Sequence, residues 1–319
     1  MKRALITGIN GQDGSYLAEL LLERGYESHG ILKRNSVAEN QTARLDDIFK
    51  DLKLEYADML DMASLIRVLQ LVQPDEIYNL AAQSHVRISF DQPIYTTQVV
   101  GLGVLNLLES IRLTDKNIKV YQASSSEMFG NSFDDDGFQR ETTPMHPTSP
   151  YGCAKVYAYN ICCNYRNAYD MYISNGILFN HESPLRSNEF VTKKIINHCK
   201  LIKKGKLKYL YLGDINIYRD WGWAPEYVEA MYLMLKQKNP KDLVIGSGKK
   251  HSLRNFVYEV FRLLKIPRKH LKLNTKKLMR KKDIRSYQAD PRLAKKVLNW
   301  KAKTTFKQMI YKMVKGQLY

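Results

Sequence analysis

Arg3-Ala4-Leu5-Ile6-Thr7 runs directly into Gly8-Ile9-Asn10-Gly11-Gln12-Asp13-Gly14, and then into Ser15-Tyr16-Leu17-Ala18-Glu19-Leu20-Leu21-Leu22. A short apolar run, a glycine-rich turn and apolar residues at helical spacing read as strand, tight turn and helix. Working outward, the same rhythm recurs. Further strands are predicted at 27–32, 54–56, 76–80, 118–123 and 172–178. Helices are predicted over 13–24, from a cap at Asp61 to about 72, and over about 95–113 and 150–169. Strands separated by helices predict an α/β fold with a doubly wound parallel sheet and right-handed crossovers. After Asn180 the rhythm breaks. A lysine-rich helix (191–204), short strands (209–212 and 243–245) and a final pair of helices (253–264 and 291–298) remain. The expected division is a first domain over 1–180, with about 219–247 returning to it. A smaller interleaved α/β domain then occupies 181–319.

Composition narrows the function classes. Hydrophobic residues make up 44% of the 319 and aromatics 11%, which excludes a disordered or collagen-like chain. No apolar run approaches the roughly 20 residues of a membrane span. The apolar stretch after Met1-Lys2-Arg3 stops too soon for a signal-peptide core. Cys153, Cys162, Cys163 and Cys199 have neither metal-ligand spacing nor companion histidines, so no metal site is expected. So few cysteines point to a reducing, cytoplasmic setting. The net charge is 50 − 32 = +18. Lys203, Lys204, Lys206 and Lys208 cluster, and five of the seven residues 276–282 are basic. No zinc finger, helix-turn-helix or aromatic–basic RNA motif accompanies them. A lysine-rich surface or a pocket for an anionic small molecule is the better reading. Neither a nucleic-acid nor a membrane partner is expected.

Three motifs carry chemistry. The turn Gly8–Gly14 lies between a first strand and a first helix, where backbone amides meet a pyrophosphate. The second strand ends in Lys33-Arg34. NAD sites usually place a carboxylate there, whereas a cation suits the 2′-phosphate of NADP. Asp58, just past the third strand, lies on the ligand side and could accept from an adenine amine. Tyr151 and Lys155 share a helix face as Tyr-x-x-x-Lys. An ammonium about 4 Å from the phenol would lower its pKa by about two or three units toward neutrality, fitting it to take a hydroxyl proton. The run Ser124-Ser125-Ser126-Glu127 closes the fifth strand. Oxidation at a carbinol needs no carboxylate here. Proton abstraction beside a new ketone does, which singles out Glu127.

These motifs resemble the extended short-chain dehydrogenase/reductases. Within them, five stretches resemble the GDP-mannose 4,6-dehydratase family: ITGINGQDGSYLAELLLERGY, EIYNLAAQSHVRISF, SPYGCAK, NGILFNHESP and RDWG. The likeness covers nearly the whole chain. It implies NADP as cofactor, a GDP-sugar as substrate, and Ser125, Glu127, Tyr151 and Lys155 as catalytic residues. For the cofactor it implies Gly8, Asn10, Gly11, Gln12, Asp13, Gly14, Arg34, Asp58, Met59, Leu80, Ala81, Ala82, Gln83, Ser84, Tyr95, Lys155, His181 and Arg186. For the nucleotide sugar it implies Ser84, Ser125, Asn180, Glu182, Lys194, Arg219 and Arg280. Guanidinium forks suit phosphate oxygens, so Arg219 and Arg280 also read as diphosphate clamps. A homodimer or homotetramer is implied, the tetramer through about 35–44.

This sequence departs from the family in places. Ser125 replaces a threonine, Leu185 an arginine and Trp223 a histidine, and the segment 264–277 is shorter. The last two leave GDP-mannose, a GDP-manno-heptose and a GDP-N-acetylhexosamine open as substrates. A 4-epimerase or 4-reductase would need no Glu127. A silent NADP-binding regulator would not need both Tyr151 and Lys155.

Overall fold

The structure is a computed structural model and describes residues 1–34, 42–273 and 284–319. The opening run forms β1 (Arg3–Thr7), buried from Ala4 onward. Gly8 follows with φ of +68°, and a Cβ there would lie 3.0 Å from the Ala81 backbone. Both the left-handed backbone and the close approach require glycine. The next element, α1 (Gln12–Glu23), presses back on the turn, since a Cβ on Gly14 would lie 2.4 Å from the Gly8 carbonyl oxygen.

Six more strands join β1: β2 (Glu27–Leu32), β3 (Lys53–Tyr56), β4 (Glu76–Asn79), β5 (Lys119–Ser125), β6 (Ile173–Leu178) and β10 (Leu243–Ile245). The order is β10-β6-β5-β4-β1-β2-β3, and every pairing is parallel. The order reverses between β1 and β4, which leaves a crevice at their C-terminal ends. Helices α2 (Met62–Val72), α5 (Gly103–Thr114) and α6 (Pro150–Tyr169) cover one face and bury Leu65, Val68, Leu107, Ile111 and Cys162. The other face carries α1 and α8 (Ala224–Leu235), with Leu17, Leu21, Tyr227 and Met231. A sheet covered on both faces explains why its strands read as apolar runs rather than alternating ones.

Short helices α3 (Val86–Asp91) and α4 (Pro93–Thr97) lead into α5. The continuous helical run Pro93–Thr114 is apolar and long enough to cross a membrane by length and composition alone, which corrects the expectation of no such run. In the fold it is a core helix, with 56% of its most apolar stretch buried.

Beyond β6 a second sheet forms from β7 (Asn180–Glu182), β9 (Tyr218–Trp223) and β11 (Lys250–Ser252), in the order β11-β9-β7. A two-stranded ladder pairs β8 (Leu210–Leu212) with β12 (Leu271–Leu273). Helices α7 (Val191–Lys203), α9 (Leu253–Leu264) and α11 (Phe306–Lys315) enclose a third core around Ile196, Trp221, Phe256 and Met309. Of the stretch 219–247, α8 and β10 join the large sheet, whereas β9 belongs to the second. The final pair of helices expected from the sequence is joined by a third. After α9 and α10 (Arg292–Leu298) comes α11, announced by a Thr305–Gln308 capping box.

Candidate active site

A cleft of about 940 Å³ opens where the C-terminal ends of β1, β4 and β5 face β7, α7 and β9. Gly8, Asn10, Gly11, Gln12, Asp13 and Gly14 line it. No side chain caps the start of α1. Its first-turn amides therefore form the arrangement that receives an anion. The strand ends are locked together beneath. Thr7 Oγ1 accepts from the Leu80 and Ala81 amides at 3.1 Å each and donates to Asn79 Oδ1 at 2.5 Å. Asn79 in turn donates to Gln122 at 2.7 Å. Leu80, Ala81, Ala82 and Ser84 consequently line the cleft. The Gln83 side chain turns away, to the His85 amide and Thr96.

The four candidate catalytic residues meet on one side. β5 ends at Ser125, whose hydroxyl accepts from the Glu127 amide at 3.2 Å. Ser149 caps α6 through the Gly152 amide at 3.0 Å. A Cβ on Gly152 would lie 2.8 Å from the Glu127 carbonyl oxygen, so this glycine lets α6 press against the Glu127 turn. Ser125, Glu127, Tyr151 and Lys155 all line the cleft, and Tyr151 and Lys155 are buried. Lys155 Nζ donates to the Ala123 carbonyl at 2.6 Å and lies 5.8 Å from the Tyr151 ring centroid.

The electrostatics correct the expectation of a phenol brought toward neutrality. Burial pushes the Tyr151 phenol above its ordinary value, against the hydrogen bond from Ser125. Burial also pulls the Lys155 ammonium down to about 8. Desolvation disfavours both charged forms.

A separate group gathers beyond the cleft lining, at the ends of β2 and β3. Arg34 is exposed there. Lys33 Nζ reaches Asp58 at 3.0 Å and donates to the Tyr95 hydroxyl at 3.2 Å. Asp58 also accepts from the Leu60 amide, and Met59 is buried against Gly103.

The opposite wall comes from distant segments. Asn180, His181 and Glu182 lie on β7, Arg186 follows, Lys194 is on α7 and Arg219 on β9, and all line the cleft. His181 faces two acceptors, Asp13 Oδ2 at 2.7 Å and the Phe179 carbonyl at 2.7 Å. Nδ1 donates to the carbonyl, and the close pairing of Nε2 with the carboxylate favours the imidazolium. The ring stacks on Tyr227 at 4.7 Å. Burial opposes this charge, but Asp13 overcomes it and holds the His181 pKa above its ordinary value. Burial likewise works to raise Asp13, and His181 reverses it. Glu182 accepts from Thr192 at 2.6 Å and pairs with Arg186 at 3.4 Å. Arg219 donates to the Tyr218 and Ile284 carbonyls at 2.8 Å each.

Sequence reasoning missed Arg44. It lines the cleft and donates to the Asn10 carbonyl and to the Leu185 carbonyl, each at 2.9 Å. It lies 30 residues past the glycine turn in sequence, with no local pattern to mark it. The departure at Trp223 lies in the third core, under the Lys312 ammonium, rather than in the cleft. Arg280 and most of the 35–44 segment lie outside the described residues.

The fold is of the Rossmann type that extended short-chain dehydrogenase/reductases share, a doubly wound parallel sheet with a smaller second sheet. Residues 5–313 match the family model described as GDP-mannose 4,6 dehydratase. The chain is 46% identical over 330 residues to GDP-mannose 4,6 dehydratase 1 of Arabidopsis thaliana, covering 99% of this chain and 90% of the relative. It is 44% identical over 339 residues to GDP-mannose 4,6 dehydratase of Homo sapiens, covering 98% and 90%. Among solved structures, dTDP-glucose 4,6-dehydratase from Bacillus anthracis with NAD shares the fold at a TM-score of 0.86 and 22% identity, over 99% of this chain and 96% of that one. UDP-glucose 4-epimerase from Thermotoga maritima with UDP-glucose does so at 0.87 and 21%, over 98% of each. The chain belongs to the GDP-mannose 4,6-dehydratase family of hydro-lyases.

Proposed function

We propose that this chain converts a GDP-sugar, GDP-mannose before the alternatives, to the GDP-4-keto-6-deoxy sugar with NADP as resident cofactor. The observation that carries the reading is Glu127 beside Ser125, Tyr151 and Lys155 in one cleft. The cofactor fits the residues present. The uncapped start of α1 and the glycine turn suit its pyrophosphate. The cationic end of β2, with Arg34 exposed, suits a 2′-phosphate. Lys155 would hold ribose hydroxyls, and Asp58 and Tyr95 lie toward the adenine side. When bound, the nicotinamide would supply hydride chemistry between sugar C4 and C6.

The protein's own groups do the rest. To take the O4 proton Tyr151 must be ionised, so the cation of the bound nicotinamide would have to offset the burial that raises its phenol, with the Ser125 hydroxyl bonded beside it. The C4 ketone acidifies the C5 hydrogen. Glu127 removes that proton, and water leaves from C6. Tyr151 supplies a proton as the double bond is reduced. Lys194 and Arg219 would hold the diphosphate side of the substrate. We further propose a reducing, cytoplasmic setting, supported by four free cysteines. A homodimer or homotetramer is supported by exposed Ile94, Leu102 and Tyr157, which lie on α4, on the turn before α5 and on α6, three segments packed against one another.

The test incubates purified protein with GDP-, UDP- and dTDP-sugars and follows loss of one water by mass spectrometry. GDP-mannose should lose water without added reductant. Glu127→Gln keeps the shape and loses the base, so water loss and solvent exchange at C5 should slow about 10²–10⁴-fold while substrate still binds. Dehydration by this variant at the parent rate would sink the mechanism at its central step.

A further inference from the structure

A second cavity, of about 800 Å³, lies between β11, α9 and the segment entering α11. Its chemistry is consistent around the wall. His251 and Phe306 stack at 4.0 Å with their planes 9° apart. Trp221 continues the stack from Phe306 at 5.8 Å and 26°. Among the described residues the rim carries Lys249, Arg262, Arg268, Lys303 and Lys307; of the carboxylates, Glu259 is paired with Arg262 at 2.6 Å, and Glu226 accepts from the Lys303 and Thr304 amides. The Arg268 guanidinium lies 4.2 Å over the Tyr258 ring. Burial and the neighbouring Lys249 hold His251 below its ordinary pKa, so its ring is neutral near pH 7 and presents a flat aromatic surface.

An aromatic face beneath a cationic rim is complementary to a planar ring that bears an anionic group. We propose that this cavity binds a nucleotide, its ring against the outer face of His251, which Phe306 and Trp221 back, and its phosphate at Lys303 and Lys307. The cavity is not isolated from the cleft. Trp221 lines both. His251 lies directly across the β9–β11 ladder from Arg219, which faces the cleft. A ligand that fixes His251 and Trp221 therefore acts on the strand that holds Arg219. This coupling, unlike the binding itself, rests on the cleft being the substrate site.

The experiment is calorimetric titration of the full chain with AMP, GMP and UMP at physiological salt, with inorganic phosphate as a control. Three proteins are compared: the parent, the rim variant Lys303→Glu/Lys307→Glu, and the cleft variant Lys194→Ala. Both rim lysines are exposed, so the rim variant should fold, and its melting temperature checks this. At least one nucleotide should bind the parent, bind the rim variant about tenfold more weakly or worse, and bind Lys194→Ala unchanged at this site. If the cleft turns over GDP-mannose, that nucleotide should also shift KM in the parent and not in the rim variant. Absence of saturable binding, binding lost only in Lys194→Ala, or equal binding of inorganic phosphate would overturn the site. None of these outcomes depends on turnover, so the cavity stands or falls on binding even if the dehydratase assay fails.

Discussion

The two walls of the cleft are made in different ways. One wall is a set of strand ends and the turns that directly follow them: Gly8–Gly14 after β1, Leu80–Ser84 after β4, Ser125–Glu127 at the end of β5. Parallel strands bring these ends to one edge, so short contiguous motifs suffice to build it. The other wall takes Asn180–Glu182, Lys194 and Arg219 from three elements of the small sheet and its helix. Its geometry depends on the parallel pairing of β7 with β9, which sets Asn180 against Trp221. The comparison teaches that the first wall is written locally in the sequence, while the second is written in long-range packing.

The sharpest way to break this contrast is kinetic. Tyr151→Phe, on α6 where it packs beside the first wall, should lower kcat about 10²–10⁴-fold with little change in KM. No reduced-nicotinamide absorbance should build up in a single turnover. Equal losses in kcat from Tyr151→Phe and Lys194→Ala would erase the distinction between the walls.

A smaller effect tests the cofactor end. Arg34→Ala should weaken NADP roughly 10- to 100-fold, the value of one charge-assisted phosphate contact, and leave NAD nearly unchanged. Fluorescence titration with both dinucleotides measures it. A matched loss for the two would remove Arg34 as the phosphate ligand. Lys194→Ala should come next, raising KM for the GDP-sugar about tenfold with kcat nearly intact. Steady-state kinetics decides it.

The smallest effect lies where the walls join, at Asp13 and His181. His181 has its pKa raised in the fold, so its contribution is complete below about 6.5 and fades as pH rises through the folded value. Asp13 has its pKa lowered, so its contribution is complete above about 4 and fades as pH falls through the folded value. The pair is therefore strongest between about pH 4 and 6.5. The melting temperature of Asp13→Asn, without cofactor, should fall below the parent's by on the order of a few degrees near pH 5.5, and by less near pH 9. A pH-independent gap would show that the two groups are not an ion pair.

Much of this molecule is readable from residues in order. The glycine turn, the strand–helix rhythm and the Tyr151–Lys155 spacing come from interactions within a few residues: steric freedom at Gly8, i,i+4 geometry on α6, capping at Asp61 and Ser149. Even α11, absent from the predicted helices, carries its signal in the Thr305–Gln308 capping box. Other features have no local trace. Asp13 is turned toward His181, which lies 168 residues away, and Asp58 toward Lys33. Arg44 reaches Asn10 and Leu185 only once the chain has closed on itself. The Tyr151 phenol moves opposite to the expectation because spacing reports the neighbour but not the solvent. Burial is a property of the whole packed structure, and at this site it disfavours both charged forms.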